Sequence, residues 1–229
     1  MVSLVPSLTE TVGATAPELL VGVTDWCTHP TDLTAARIGG TKNPRVADIV
    51  ALAPDVILAN VEENRAEDLD ALRDAGLAVW LTNYETVPTA IDGLGETLEM
   101  LGLPRPTWLA DAERAWADPW RGERCTALVP IWRRPWMVLG RDTFAGDVLR
   151  RLGVDNVLAA SGERYPRVDL DALPAYDVVV LPDEPYLFTA DDGPEAFDVP
   201  ARLVSGRHLT WYGPSLAEAR EVLAGQLWQ

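Results

Sequence analysis

Short apolar runs alternate along the chain with stretches of helical periodicity. In the first half, the runs at 2–5, 20–23, 55–59 and 78–81 predict strands. They are continuous rather than alternating, the pattern of strands buried on both faces of a parallel sheet. Ser7-Leu8-Thr9-Glu10 has capping-box spacing and predicts a helix directly after the first strand. Residues 46–52 predict a helix ending near Pro54, and 66–75 a helix ended by Gly76 in a left-handed cap. The second half offers strands near 126–129, 177–181 and 202–204, with helices near 145–152 and 216–226. Between the halves, 91–101 and 107–118 read as helices separated by Gly102-Leu103-Pro104-Arg105-Pro106.

The two halves share more than this alternation. Leu4-Val5-Pro6 recurs as Leu128-Val129-Pro130, an offset of 124. Pro44-Arg45-Val46 recurs as Pro166-Arg167-Val168, and Asp55-Val56-Ile57-Leu58 as Asp177-Val178-Val179-Val180, both offset by 122. Leu81-Thr82-Asn83-Tyr84 recurs as Leu209-Thr210-Trp211-Tyr212, offset by 128. Four matches in one order at nearly constant offset predict two lobes of similar topology. The expected fold is α/β: an N-terminal lobe over 1–101, a connecting helix within 102–122, a C-terminal lobe over 123–229, and a ligand cleft between the lobes.

Composition narrows the partners. Nineteen basic against 35 acidic residues give a net charge of −16, the wrong sign for a phosphate-binding surface, so nucleic acid is not expected. No apolar run reaches the ~18 residues of a membrane helix. Cys27 and Cys125 stand 98 residues apart, with no CxxC pair, and read as two free thiols. No basic stretch and no apolar segment precede the first strand, so the chain as given is expected in the cytoplasm; trimming would make it extracytoplasmic.

Ligands of open α/β sheets sit beyond the carboxyl ends of the strands. The loops there hold Pro6, Ser7, Trp26, Tyr84, Trp132, Arg133, Trp136, Tyr165, Tyr186 and Trp211. Nine tryptophans against three phenylalanines is a ratio that core packing does not ask for, because a buried indole N–H needs a partner. Aromatics on such loops suit a large, flat, partly apolar ligand. Arg133, Arg134, Arg141 and Arg164 are candidates to clamp an anionic group. The chain shows no Gly-x-Ser-x-Gly elbow, phosphate loop or Gly-x-Gly-x-x-Gly loop, so no catalytic residue is assigned and an enzyme is not expected.

Ser3-Leu4-Val5-Pro6-Ser7-Leu8-Thr9-Glu10, Val21-Gly22-Val23-Thr24, Gly39-Gly40 and Pro54-Asp55-Val56-Ile57-Leu58-Ala59 resemble the first lobe of the class III substrate-binding proteins. These helical-backbone metal receptors serve ABC importers of cobalamin, siderophores and haem, and the cobalamin branch is the most similar. The resemblance implies two α/β lobes joined by a rigid helix, and a corrinoid held by aromatic side chains of both. It suggests Trp26, Tyr84, Trp132, Tyr165 and Trp211 as contacts, a monomer, and an ABC permease as partner. An acidic residue on the outside of each lobe would grip that permease, Glu67 or Asp68 in the first. A ferric siderophore or haem is the alternative ligand.

A second constellation competes with this one. Cys27, His29 and Glu62 fall in loops at the same end of the predicted sheet, and thiolate, imidazole and carboxylate are ligands for a transition metal such as zinc or iron. On that alternative the chain is a cytosolic metal-binding protein, or a metal-dependent enzyme, on the same fold.

Overall fold

In the computed structural model, which describes residues 1–228, the apolar runs of the first half form one parallel sheet. β1 (Val2–Ser3), β2 (Gly22–Val23), β3 (Ala36–Arg37), β4 (Ile57–Asn60) and β5 (Val79–Thr82) lie in the order β3-β2-β1-β4-β5, with every pairing parallel. The strands carry apolar side chains on both faces because α1 (Pro6–Gly13), α2 (Val46–Ala51) and α3 (Ala66–Asp74) cross over between them. Val2, Leu4, Ile38, Ile49, Ile57, Leu69 and Leu72 make the core on one face.

The capping-box expectation fails at α1. The cap is Val5, extended at φ −133°, with no side-chain cap bond, and Pro6 opens the helix. Proline suits that place, since its missing N–H would have had no partner there. Ser7 and Glu10 are instead helical and buried. At the end of α3 the glycine expectation holds in detail. Gly76 has φ +83°, its N–H reaches Arg73 O at 2.8 Å, and Leu77 N–H reaches Leu72 O at 3.1 Å. These are the two bonds of a Schellman turn. α4 (Val87–Met100) and α5 (Thr107–Ala117) follow, with Gly102 at φ +69° between them.

In the second half β6 (Cys125–Leu128) leads into a separate antiparallel hairpin, β7 (Pro130–Trp132) and β8 (Met137–Val138). After α6 (Phe144–Arg151) come β9 (Val154–Asn156), β10 (Val178–Pro182) and β11 (Ala201–Val204), then α7 (Gly206–Thr210) and α8 (Leu216–Leu227). Their parallel sheet has the order β11-β10-β6-β9.

The two sheets share a topology. β2-β1-β4-β5 in the first is matched by β9-β6-β10-β11 in the second, and β3 is an addition. The pairings Ile57↔Val79 and Val179↔Ala201 differ by 122 positions on both strands. Two of the sequence matches fall on corresponding places, and a third, Leu4-Val5-Pro6, lies two positions out, since the pairings to Ile57 and Val179 equate Val2 with Leu128. The fourth does not: Leu209-Thr210 end α7, whereas the strand registers make Leu203 and Val204 the counterparts of Leu81 and Thr82. Leu81 and Leu203 are also exposed alike, at 42% and 39%. Where α3 crosses over in the first half, the second has a loop of equal length that carries a 3-10 turn, Pro194–Ala196.

Two compact units result. The first takes Met1–Tyr84, Ala90–Leu109 and Tyr212–Pro214; the second takes Glu85–Thr89, Ala110–Trp211 and the chain from Ser215 on. Among the described residues no helix is long and apolar enough to cross a membrane.

Candidate functional site

A crevice opens in a parallel sheet where neighbouring strands send their crossovers in opposite directions. In the first unit that place lies between β1 and β4. Three loops meet there on one side chain, the buried amide of Asn64. Its Oδ1 accepts the N–H of Asn60 at 2.9 Å, and its Nδ2 donates to Leu4 O at 3.3 Å and to Thr41 O at 3.0 Å. Asn60 extends the network, accepting the Glu62 N–H at 2.8 Å and donating to Thr82 Oγ1 at 3.2 Å. Lys42 donates to the carbonyl of Glu62. Loss of solvent lowers the Lys42 ammonium from its ordinary value, against the pull of Glu63. The same cause raises the Glu63 carboxyl to about 7, with Lys42 acting in the opposite direction.

The loop after β2 presents Trp26, whose side chain is 66% exposed. Arg37 pins this loop by donating to the carbonyls of Thr24 and Cys27, each at 2.8 Å. Asp25 N–H reaches Gly39 O at 2.8 Å, and Gly39 takes φ +92°. A Cβ on Gly40 would stand 3.4 Å from the indole nitrogen of Trp26, in ordinary van der Waals contact, so the ring lies against this part of the loop. Pro6 and Ser7, at the tip of β1, are buried in the first turn of α1. Tyr84 is buried as well, edge-on to Tyr212 at 5.0 Å, its hydroxyl 3.3 Å from Thr97 Oγ1. Its ring fills the space over Gly93, where a Cβ would come within 2.2 Å of it. Tyr84 is thus a packing residue in this structure.

The corresponding switch in the second unit lies between β6 and β10. Here the β7–β8 hairpin folds against the long loop after β10. Trp132, 43% exposed, stands edge-on to Tyr186 with ring centroids 5.6 Å apart. Tyr186 lies 4.7 Å from Phe188, and Trp136 stacks on Phe188 at 6.1 Å and meets Phe197 at 5.3 Å. Phe188 joins Val179 and Leu181 in the core, which ties the aromatic group to the sheet. Arg133 pairs with Asp192 and Glu195, and its guanidinium lies 5.3 Å from the Trp136 ring centre. Trp211 is buried, its indole N–H donating to Glu184 at 3.0 Å. Burial raises the Glu184 carboxyl above its ordinary range. Tyr165 is half-buried in the loop that runs back toward β8.

The arginines expected to clamp an anion are mostly engaged. Arg133 is neutralised by its two carboxylates and Arg164 pairs with Glu85, while Arg141 lies 3.4 Å from its neighbour Asp142. The metal set is not assembled either: among the described residues no group of three His, Cys, Asp or Glu is placed to hold a metal ion. The Cys27 thiol is buried against Thr9 (3.0 Å) and Thr24 (3.2 Å), and that burial raises its pKa, away from the thiolate a metal requires. His29 Nδ1 lies 3.0 Å from the Thr28 hydroxyl.

Asp192, Glu195 and Asn64 organise these loops without any spacing in the sequence that marks them.

No protein-family model matches the chain. Solved structures do. A periplasmic heme-binding protein from Roseiflexus sp. RS-1 superposes with a TM-score of 0.78 at 20% identity, over 98% of this chain and 95% of that one. A periplasmic vitamin B12 binding protein of Vibrio cholerae gives 0.74 at 19% identity, over 98% and 94%. A periplasmic heme-binding protein from Pseudomonas aeruginosa gives 0.76 at 23% identity, over 97% and 90%. The chain has the fold of the periplasmic binding proteins. Among curated proteins, an uncharacterized ABC transporter substrate-binding lipoprotein of Bacillus subtilis (strain 168) is 27% identical over 174 residues, covering 69% of this chain. The chain spans about half (55%) of the length of that relative.

These comparisons overturn the cytoplasmic expectation, since the relative is a lipoprotein and the similar structures are periplasmic. That expectation had rested on what precedes β1, and a strand at the start of a chain carries no address.

Proposed function

We propose that the chain is an extracytoplasmic substrate-binding protein of an ABC importer, and that its cargo is a corrinoid such as cobalamin. The observation that carries this reading is the placement of exposed indoles, Trp26 in the first unit on the loop after β2 and Trp132 in the second on the β7–β8 hairpin that follows β6. A flat macrocycle offers wide apolar faces to such rings and an amide rim to neighbouring polar groups. The cobalt of cobalamin brings its own axial ligands, so aromatic faces and hydrogen bonds suffice to hold it. Binding is reversible and no bond is made or broken. The vitamin B12 and heme proteins of the same fold support the ligand class, and the substrate-binding lipoprotein supports an importer. Within this reading Glu67 is the acid offered to a permease from the first unit, being 71% exposed with only a 3.5 Å contact to Arg65. Asp68 is buried and held by two bonds from Arg65.

Titration with cyanocobalamin, followed by quenching of tryptophan fluorescence, tests the reading. Saturable one-to-one quenching that Trp26→Ala and Trp132→Ala both weaken is expected. Hemin and a ferric hydroxamate are the comparison arms. Tight binding of either with none of cyanocobalamin would replace the corrinoid with that ligand, and binding of none would reject the reading.

A further inference from the structure

We propose that Arg133 is a positioning residue that holds the exposed face of Trp132 ready for the ligand; this rests on the binding role proposed above. Arg133 directly follows Trp132 at the end of β7, yet its side chain is 14% exposed while Trp132 is 43% exposed. Consecutive residues leaving a strand turn to opposite sides, so the arginine anchors and the indole projects.

The anchor closes a ring of four contacts. Arg133 pairs with Asp192 Oδ1; Asp192 Oδ2 accepts the Tyr186 hydroxyl at 2.6 Å; Tyr186 meets Trp132 edge to face; and Trp132 is joined to Arg133 by the backbone. Glu195 holds the second branch of the guanidinium and also accepts the Gly193 N–H at 2.6 Å, where the loop turns through φ +132°. The guanidinium plane meanwhile lies near the Trp136 ring, and Trp136 and Tyr186 both rest on the buried Phe188. The ring is therefore tied at two points, Tyr186 and Trp136, to Phe188, which packs with Val179 and Leu181 of the sheet.

Arginine suits this task because one planar fork reaches two carboxylates and an aromatic ring together. Lysine, a point charge, serves one carboxylate at a time. Neutralised in this way, Arg133 has little charge left to attract an anion. Its effect on the ligand runs through the angle of the indole. If the ring opens, Trp132 loses its edge contact with Tyr186 and samples other rotamers, and the ligand must then order it on binding.

The experiment is a double-mutant cycle on cyanocobalamin affinity, with Arg133→Met and Trp132→Ala alone and combined. Arg133→Met is expected to weaken binding about tenfold, the upper range of one oriented aromatic contact, and to cost nothing further once Trp132 is alanine. Arg133→Lys is expected to recover part of the loss. Equal losses in both backgrounds, or wild-type affinity in Arg133→Met, would overturn the proposal. Near-ultraviolet circular dichroism reads the ring without any ligand. The Trp132 contribution, taken from a Trp132→Phe difference spectrum, is expected to collapse in Arg133→Met and in Asp192→Asn. A spectrum that keeps it refutes the positioning role. If the wild type binds no corrinoid while the spectrum behaves as expected, the cargo assignment falls and the positioning of Trp132 stands.

Discussion

Glu63 makes stability depend on pH in a direction opposite to that of most carboxylates. It follows Glu62 in the loop after β4, and desolvation raises its pKa from 4.5 to about 7. The folded state then holds a proton that the unfolded chain releases at lower pH. The stability this proton confers is fully present below about pH 4.5 and is lost as pH rises through about 7. A shift of about 2.5 pH units corresponds to roughly 3 kcal/mol at 1.36 kcal/mol per unit. In a chain of this size that is on the order of 6–12 °C in melting temperature. Glu63→Gln keeps the shape and removes the titration. Melting of wild type and variant should be compared by calorimetry between pH 4.5 and pH 8.5. The variant is expected to gain on the wild type up to about pH 7 and to hold its full lead from there to the alkaline end. Removing the neighbouring ammonium with Lys42→Met should move the wild-type midpoint to higher pH, because Lys42 opposes the shift. A melting difference that stays flat with pH would refute the desolvated position of Glu63.

Three further outcomes follow from the packing. Asn64→Ala strands the buried Asn60 N–H and releases two carbonyls, and should cost about 2–4 kcal/mol in chemical denaturation; a loss below 1 kcal/mol would mean that water replaces the amide at no penalty. Gly93→Ala forces a methyl group into the Tyr84 ring, and should destabilise by about 2 kcal/mol or more, with partial rescue by Tyr84→Leu. Trp26→Ala, at an exposed position, should change stability by less than about 0.5 kcal/mol while weakening cyanocobalamin binding in the quenching titration. A large melting loss without an affinity loss would assign Trp26 to structure.

Much of the fold was legible because parallel strands buried on both faces leave continuous apolar runs. β1, β2, β4, β5, β6, β10 and β11 were each found to within two residues or so. The strands missed are those that lack such a run. β3 has two exposed residues at a sheet edge, β9 reads Val-Asp-Asn, and β7 opens on Pro130, which argues against a strand. α7 was hidden because it opens on Gly206 and lasts five residues; its sign was Ser205, whose side chain accepts from His208. At the candidate site, the sequence did not tell which rings face solvent, and it read Pro6 and Ser7, which open α1, and Trp132, which ends β7, as loop residues. Tyr84 and Trp211 look like Trp26 and Trp132 in a sequence, yet Gly93 gives Tyr84 a slot and Glu184 gives the Trp211 indole its hydrogen-bond partner. Those partners lie nine and 27 positions away, beyond any local pattern.

The Asn64 amide has a consequence for how a receptor of the proposed kind would change its cargo. Because one side chain fastens the tips of β1 and β4 and the turn at Thr41, a substitution in any of the three is transmitted to the other two. Selectivity on this side of the molecule evolves in concert, through compensating sets of changes, and libraries that randomise one turn at a time will search it poorly.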